Sequence, residues 1–300
     1  MIRLFTDSVA SIPAALAEKL NIHVMSLFIH EGDIEHVETE MDLDDFYRRL
    51  PGMTENLPTS SQPSQHAFEQ AFEEAAQAGD DVIGIFISTF MSGTVDGAVR
   101  AARAVKSRNL NFRAAIIDSA STGFDEGFVP IQTAKAIAEG LSFEECVQRA
   151  KDTVVRTRFL FAPENLTFLQ KGGRIGNAKA LLGNLIKVTP VITVVDGVPT
   201  DIAKVRTQKK AIAAIFDRFK ADVESKGLVD AVVHYIGTPD VAIKWAHEVV
   251  EPFLGRSVEV LPVSPVVGLH VGPAVGIAYT CIDALEGKLT NPDLELVTYV

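Results

Sequence analysis

Three short stretches carry side chains whose types and spacing could do chemistry. The first is Ser88-Thr89-Phe90-Met91-Ser92-Gly93-Thr94, a polar turn after the apolar run 82–87. Val95, Ala98, Val99, Ala102 and Val105 then recur at helical spacing, with Arg100, Arg103 and Lys106 between them. A strand entering a helix through Ser-Gly-Thr leaves backbone N–H groups without intrahelical partners. With the helix dipole and two hydroxyls, they form a cradle for a carboxylate or phosphate. The same residues also suit plain helix caps, with Ser92 or Thr94 as the capping side chain. The second stretch is Lys171-Gly172-Gly173-Arg174-Ile175. A left-handed cap accounts for its glycines but not for an arginine placed directly after a flexible turn. The third is His270, set in the run Gly268-Leu269-His270-Val271-Gly272-Pro273-Ala274-Val275-Gly276, read as a glycine-rich loop that lets backbone approach closely. It is open to ligand contact or to a structural role.

Other chemistries fit less well. A Ser-His-Asp hydrolase could be assembled from Ser92, His270 and Asp7 or Asp118, but Phe90-Met91-Ser92-Gly93-Thr94 is not the G-x-S-x-G elbow. The seven histidines show no H-x-H or H-E-x-x-H spacing, so no metal site is expected. The acidic run 38–45 could be taken for a metal site, but helix capping and solvation explain it more cheaply. No Walker loop or G-x-G-x-x-G is present. The basic run Lys204-Val205-Arg206-Thr207-Gln208-Lys209-Lys210 is either a solvated face or a docking patch for an acidic partner.

These stretches need elements to position them. Residues 2–5 read as a strand ending in Thr6-Asp7-Ser8, followed by a helix starting at Ser11-Ile12-Pro13. Residues 22–29 read as one further strand, and Asp42 caps a short amphipathic helix. The loop Pro58-Thr59-Ser60-Ser61-Gln62-Pro63-Ser64 feeds a helix over 65–77. The strand at 112–117 stops at Asp118-Ser119, and a helix is expected over 128–138. Ser142 and Glu145 form a capping box. Alternating buried strands and helices predict an α/β fold whose N-terminal domain, residues 1–157, is a doubly wound parallel sheet. Ligands of such sheets lie at the carboxyl ends of the strands. Residues 158–300 are expected to form a second, mixed α/β domain. It opens antiparallel, with the hairpin signal Asp196-Gly197.

Composition narrows the field. The chain has 300 residues, 47% of them apolar, and a formal net charge of −11. That charge argues against nucleic acid as a partner. Cys146 and Cys281 are the only cysteines, in unrelated contexts, which suggests reduced thiols and a cytoplasmic protein. The N-terminal residues are too polar for a signal peptide. Residues 260–282 carry no full charge, but six prolines and glycines interrupt them. They read as buried strand, loop and buried segment, not as a membrane span.

Taken together, the motifs resemble the DegV family, which includes the fatty-acid-binding subunits of bacterial fatty acid kinase. The resemblance runs through Thr6-Asp7-Ser8, Pro58 to Ser64, Ser88 with Ser92-Gly93-Thr94, and Asp118-Ser119. It continues through Lys171 to Ile175, Asp196-Gly197 with Arg206, and His270-Val271-Gly272-Pro273. It implies two domains with a long-chain fatty acid buried between them. Thr59, Ser60 and Ser92 would hold the carboxylate, with His270 in the same network and Arg174 beside it. Arg174 would also support phosphoryl transfer by a separate ATP-dependent kinase subunit. The chain itself would not be an enzyme and would need no cofactor. It would present its ligand in bacterial phospholipid precursor metabolism, with at most transient membrane contact. Burying an acyl chain gains ~0.8 kcal/mol per methylene, so the tail would supply affinity and the head group orientation. The alternatives are a stand-alone hydrolase or acyltransferase built on Ser92 and His270, or a binder of another hydrophobic anion.

The chain departs from the family pattern at Gly123 and Asp125, at Ala274, and at Met91 and Val95 around Ser-Gly-Thr. These changes border the expected pocket and bear on acyl-chain preference. Phe86, Phe90, Phe124, Phe128, Phe168, Leu181 and Leu182 are candidates for the tunnel wall, and most of them fit the core equally well.

Overall fold

The computed structural model describes residues 1–181 and 188–300. Its first half runs β1 (Ile2–Asp7), α1 (Ala14–Lys19), β2 (Ile22–Met25), β3 (Phe28–Glu31), β4 (Ile34–Val37), α2 (Leu43–Arg49) and β5 (Thr59–Ser61). Then come α3 (Gln65–Gln77), β6 (Asp81–Phe86), α4 (Thr94–Arg108), β7 (Ala114–Asp118), α5 (Phe124–Ala138) and α6 (Phe143–Val154). The second half begins with β8 (Thr157–Pro163), α7 (Thr167–Lys171), β9 (Thr189–Val195), β10 (Val198–Val205) and α8 (Gln208–Lys226). It continues through β11 (Leu228–Ile236), α9 (Asp240–Trp245), α10 (Glu251–Leu254), β12 (Glu259–Pro262), α11 (Pro265–Val271), β13 (Ala274–Cys281) and β14 (Val297–Tyr299).

The first sheet has the order β14-β7-β6-β1-β2. Strands β7, β6, β1 and β2 are parallel neighbours, and β14 closes the edge antiparallel to β7. Alternation along these strands sends Phe5, Val82, Phe86 and Ile116 to the face that buries α3 and α4. Leu4, Ile83, Ile85 and Ile117 face the opposite core. A sheet buried on both faces is the doubly wound arrangement, and it explains why β6 is apolar almost throughout. The second sheet is mixed, β10-β9-β8-β13-β11-β12, with only β11 and β12 parallel. Helix α5 packs on β1 and β6 on one side and on β8 and β13 on the other. It is buried over most of its surface, as expected for a helix between two sheets.

Four sequence expectations change. Residues 22–29 are two strands. β2 joins the main sheet, while β3 leaves it for a small antiparallel sheet β4-β3-β5. The break falls at Leu27, whose N–H donates to Ser8 Oγ instead of to a ladder. The serine-rich loop contains the short strand β5. The helix expected over 128–138 begins at Phe124, after Gly123 at φ 66°. The glycine-rich loop around His270 is the end of helix α11, with Ser264 accepting from Val267 N–H and Pro265 in the first turn. No helix among the described residues is long and apolar enough to cross a membrane.

A boundary at residue 157 coincides with the start of β8. The last strand nonetheless crosses back to the first sheet, so that sheet draws on both ends of the chain.

Candidate functional site

β5 is the edge strand of the small sheet, pairing Ser60 with Ile29 and Thr59 with His30. Successive side chains alternate, so Ser60 and Thr59 face opposite ways. Ser60 Oγ lies 2.9 Å from His270 Nε2. Thr59 is exposed and lines a separate hollow with His30 and Arg49. Ser61 Oγ lies 2.9 Å from His30 Nε2.

His270 sits in the last turn of α11. Its Nδ1 lies against the Gly172 backbone without a hydrogen bond. A Cβ at Gly172 would stand 2.5 Å from that nitrogen, so only glycine allows the approach. The second glycine does the conformational work, since Gly173 has φ 72°. The two glycines therefore have different duties. Burial, and next to it the charge of Arg174, pushes the His270 imidazole down to about 4. It is a neutral group at physiological pH.

Arg174 reaches across to the polar turn before α4. Its Nη1 donates to Gly172 O at 2.8 Å and its Nε to Met91 O at 3.4 Å. Both partners are backbone carbonyls, so the guanidinium charge is not neutralised by them. Ser92 shares a 2.8 Å hydrogen bond with Thr94 Oγ1. Neither side chain caps α4, whose N-cap position is Gly93 without a side-chain cap bond. The simple capping role is therefore not the one Ser92 performs, and the amides at the start of α4 stay open to an anion.

These groups share one cavity of ≈ 280 Å³. Ser60, Ser92, Gly93, Arg174 and His270 line it beside Leu27, Ile87, Leu169, Val266, Val267 and Val271. The arrangement suits one polar, anion-compatible cluster attached to an aliphatic space. Among the described residues no group of three or more His, Cys, Asp or Glu is placed to hold a metal ion.

A triad does not form. His270 bonds Ser60, not Ser92. Asp7 accepts from Val9 and Ile87 N–H, and Asp118 from Thr89 N–H, Thr89 Oγ1 and Ala120 N–H. Both carboxylates are committed to holding loops. Ser88 Oγ donates to Gly197 O at 2.9 Å, which ties the Asp196-Gly197 hairpin to the same polar turn.

The structure brings together Ser60, Ser92, Arg174 and His270, but not Thr59. The wall is aliphatic where aromatic residues were expected. Phe86, Phe124, Phe128 and Phe168 are buried in the core and Phe90 is 62% exposed, and none lines the cavity. Leu182 and the side chain of Leu181 lie outside the described residues. Leu27, Val266 and Val267 carried no sequence signal for this role, because each reads as an ordinary core residue. Ser60 was separable from Thr59 only by the strand alternation of β5.

Comparison with known proteins places this arrangement. A sequence profile described as an uncharacterised protein of the DegV family matches residues 1–281. A DegV domain-containing protein of Clostridium acetobutylicum is 37% identical over 279 residues, covering 93% of this chain and 97% of its own. The solved structure of a fatty-acid-binding DegV family protein from Thermus thermophilus superposes with a TM-score of 0.84 at 27% identity. It spans 93% of this chain and 99% of its own. That of DegV, a fatty acid binding protein from Bacillus subtilis, gives 0.83 at 30% identity, with 93% and 99% covered. With the profile spanning nearly the whole chain and the fold shared end to end, this chain belongs to the DegV family.

Proposed function

We propose that this protein binds a long-chain fatty acid in the cavity lined by Ser60, Ser92, Arg174 and His270 and presents the carboxylate to a separate ATP-dependent kinase subunit. The observation that carries the binding reading is one cavity joining Ser60, Ser92, His270 and Arg174 to an aliphatic wall. Relatives that bind fatty acids share the fold. The carboxylate would accept from Ser60, Ser92 and the open amides of α4, with the Arg174 charge beside it. Hydroxyls and a helix N-terminus stabilise such an anion by roughly 1–2 kcal/mol, while each buried methylene adds ~0.8 kcal/mol. Affinity then comes from the tail and orientation from the head. Thr59 takes no part in this arrangement. A guanidinium at the head group can offset charge that builds up during phosphoryl transfer, which is the reason to assign a kinase partner.

The test is native mass spectrometry of freshly purified protein, followed by denaturing lipid analysis. One adduct of fatty-acid mass is expected. A bare protein that also refuses added palmitic and oleic acids would remove the reading. Another hydrophobic anion would show itself as an adduct of different mass. A hydrolase or acyltransferase built on Ser92 and His270 is disfavoured, because His270 is bonded to Ser60 and supplies Ser92 with no base.

A further inference from the structure

Three walls of the cavity are tied to one buried polar knot outside it. Leu27, Ile87 and Val266 line the cavity from the β2–β3 link, the end of β6 and the first turn of α11. Each N–H lies where no ladder or intrahelical partner exists. Leu27 N–H donates to Ser8 Oγ at 2.8 Å, Ile87 N–H to Asp7 Oδ2 at 2.9 Å, and Val266 N–H to Glu38 Oε1 at 2.7 Å. Ser8 Oγ also donates to Glu38 Oε2, and Asp7 is the residue next to Ser8 in the chain. Asp7 and Glu38 are both buried, and Asp7, Ser8 and Glu38 do not line the cavity. They touch no ligand in that space, but they hold the backbone of residues that would.

We infer that Asp7, Ser8 and Glu38 are positioning residues that set acyl-chain selectivity by fixing the separation of these three walls. The inference rests on the fatty-acid reading above. A saturated chain and a cis-unsaturated one differ in the width and bend of the space they need. A packed aliphatic wall discriminates between them through contacts that are lost within an ångström. Removing an acceptor leaves a buried N–H that must move to find another, and the attached wall moves with it. The Thr6-Asp7-Ser8 motif thereby gains a role although none of its residues lines the cavity.

The experiment compares dissociation constants for palmitic and oleic acids, together with Tm, in the wild type, Ser8→Ala, Ser8→Thr, Glu38→Ala and Glu38→Gln. Ser8→Ala is expected to change the palmitic-to-oleic affinity ratio about fivefold or more, the equivalent of one hydrogen bond's net worth. Ser8→Thr, which keeps the hydroxyl, should return the ratio toward the wild-type value. If Ser8→Ala does not fold, Glu38→Ala is measured in the same way, because it leaves Val266 N–H without its acceptor, whereas Glu38→Gln keeps one and serves as the conservative control. A lowered Tm with an unchanged ratio overturns the inference and leaves a purely structural knot. A wild type that binds neither acid overturns the fatty-acid reading itself.

Discussion

Ser60 Oγ and His270 Nε2 meet at 2.9 Å although 210 positions separate them in the chain. The bond joins the small β4-β3-β5 sheet to the last turn of α11. It makes the hydroxyl and the imidazole one unit at the wall of the cavity. A buried neutral imidazole can hold a hydroxyl in a fixed orientation without adding a charge that would have to be desolvated.

Ser60→Ala and His270→Gln should therefore each weaken fatty acid binding by about 1–2 kcal/mol, or roughly 5–30-fold. The double variant should cost less than the two single losses combined, because the pair acts together. Thr59→Ala should leave affinity unchanged, since Thr59 faces a different hollow. With the imidazole pushed down to about 4, affinity should not show a histidine titration between pH values of about 5 and 8. Calorimetry across that range checks this, and a step near the ordinary histidine value that disappears in His270→Gln would show that the imidazole is charged.

Arg174→Ala should separate binding from presentation. Under the proposed function the tail supplies most of the affinity, and Arg174 is held by backbone carbonyls at the site's exposed side. Loss of the charge should cost no more than about tenfold in lipid affinity. Acyl-phosphate formation with the proposed kinase subunit should fall by two orders of magnitude or more, on the order of what removal of a transition-state cation costs. Release of the lipid by Arg174→Ala would instead make the arginine a primary anchor of the carboxylate.

Much of this site was legible in the sequence because its polar parts are short motifs of unusual composition. Ser92-Gly93-Thr94 after an apolar run and Lys-Gly-Gly-Arg could be read without coordinates. The parallel sheet was legible for a related reason, since β6 and β7 are apolar on both faces. Three things were hidden. β3 continues the apolar run of β2, so only the diversion of Leu27 N–H to Ser8 separates them. α11 reads as a loop from Gly268 and Gly272, although Ser264 and Pro265 open a helix there. The return of β14 to the first sheet is a long-range pairing that local pattern cannot encode. The aliphatic cavity wall is hidden for a deeper reason, because lining residues and core residues have the same composition.

The buried acids near the end of β1 give a pH signature. Burial, the largest influence, raises Asp7 to about 7 and holds Glu126 well above the usual carboxylate range, and neighbouring acids raise Glu126 further. Both Glu126 carboxyl oxygens are buried without a hydrogen-bond partner among the described residues, which favours the neutral acid. A carboxyl whose folded value lies above its unfolded value stabilises the fold fully below the unfolded value. That contribution is lost as pH rises toward the folded value. Glu126→Gln should match the wild type at a pH of about 4 and become progressively more stable than it above that. The gap should grow by up to about 1.4 kcal/mol per pH unit while only the unfolded chain ionises. Denaturant melts at several pH values check this. A gap that does not vary with pH would mean that Glu126 is ionised in the folded protein.

The basic run after β10 makes the last prediction. Arg206, Lys209 and Lys210 are exposed, on a chain of net charge −11. Pro199 lines the cavity and Arg206 lies just beyond the same strand, so at ~3.3 Å per residue the two are roughly 20 Å apart. A partner covering a standard interface of about 800 Å² per side spans that distance. One kinase subunit could therefore contact the basic run while reaching the carboxylate beside Arg174. Reversing charge at Arg206 and Lys209 together should raise its apparent dissociation constant and flatten the salt dependence of binding, while fatty acid affinity stays constant. If neither partner affinity nor salt dependence moves, the run is a solvated face.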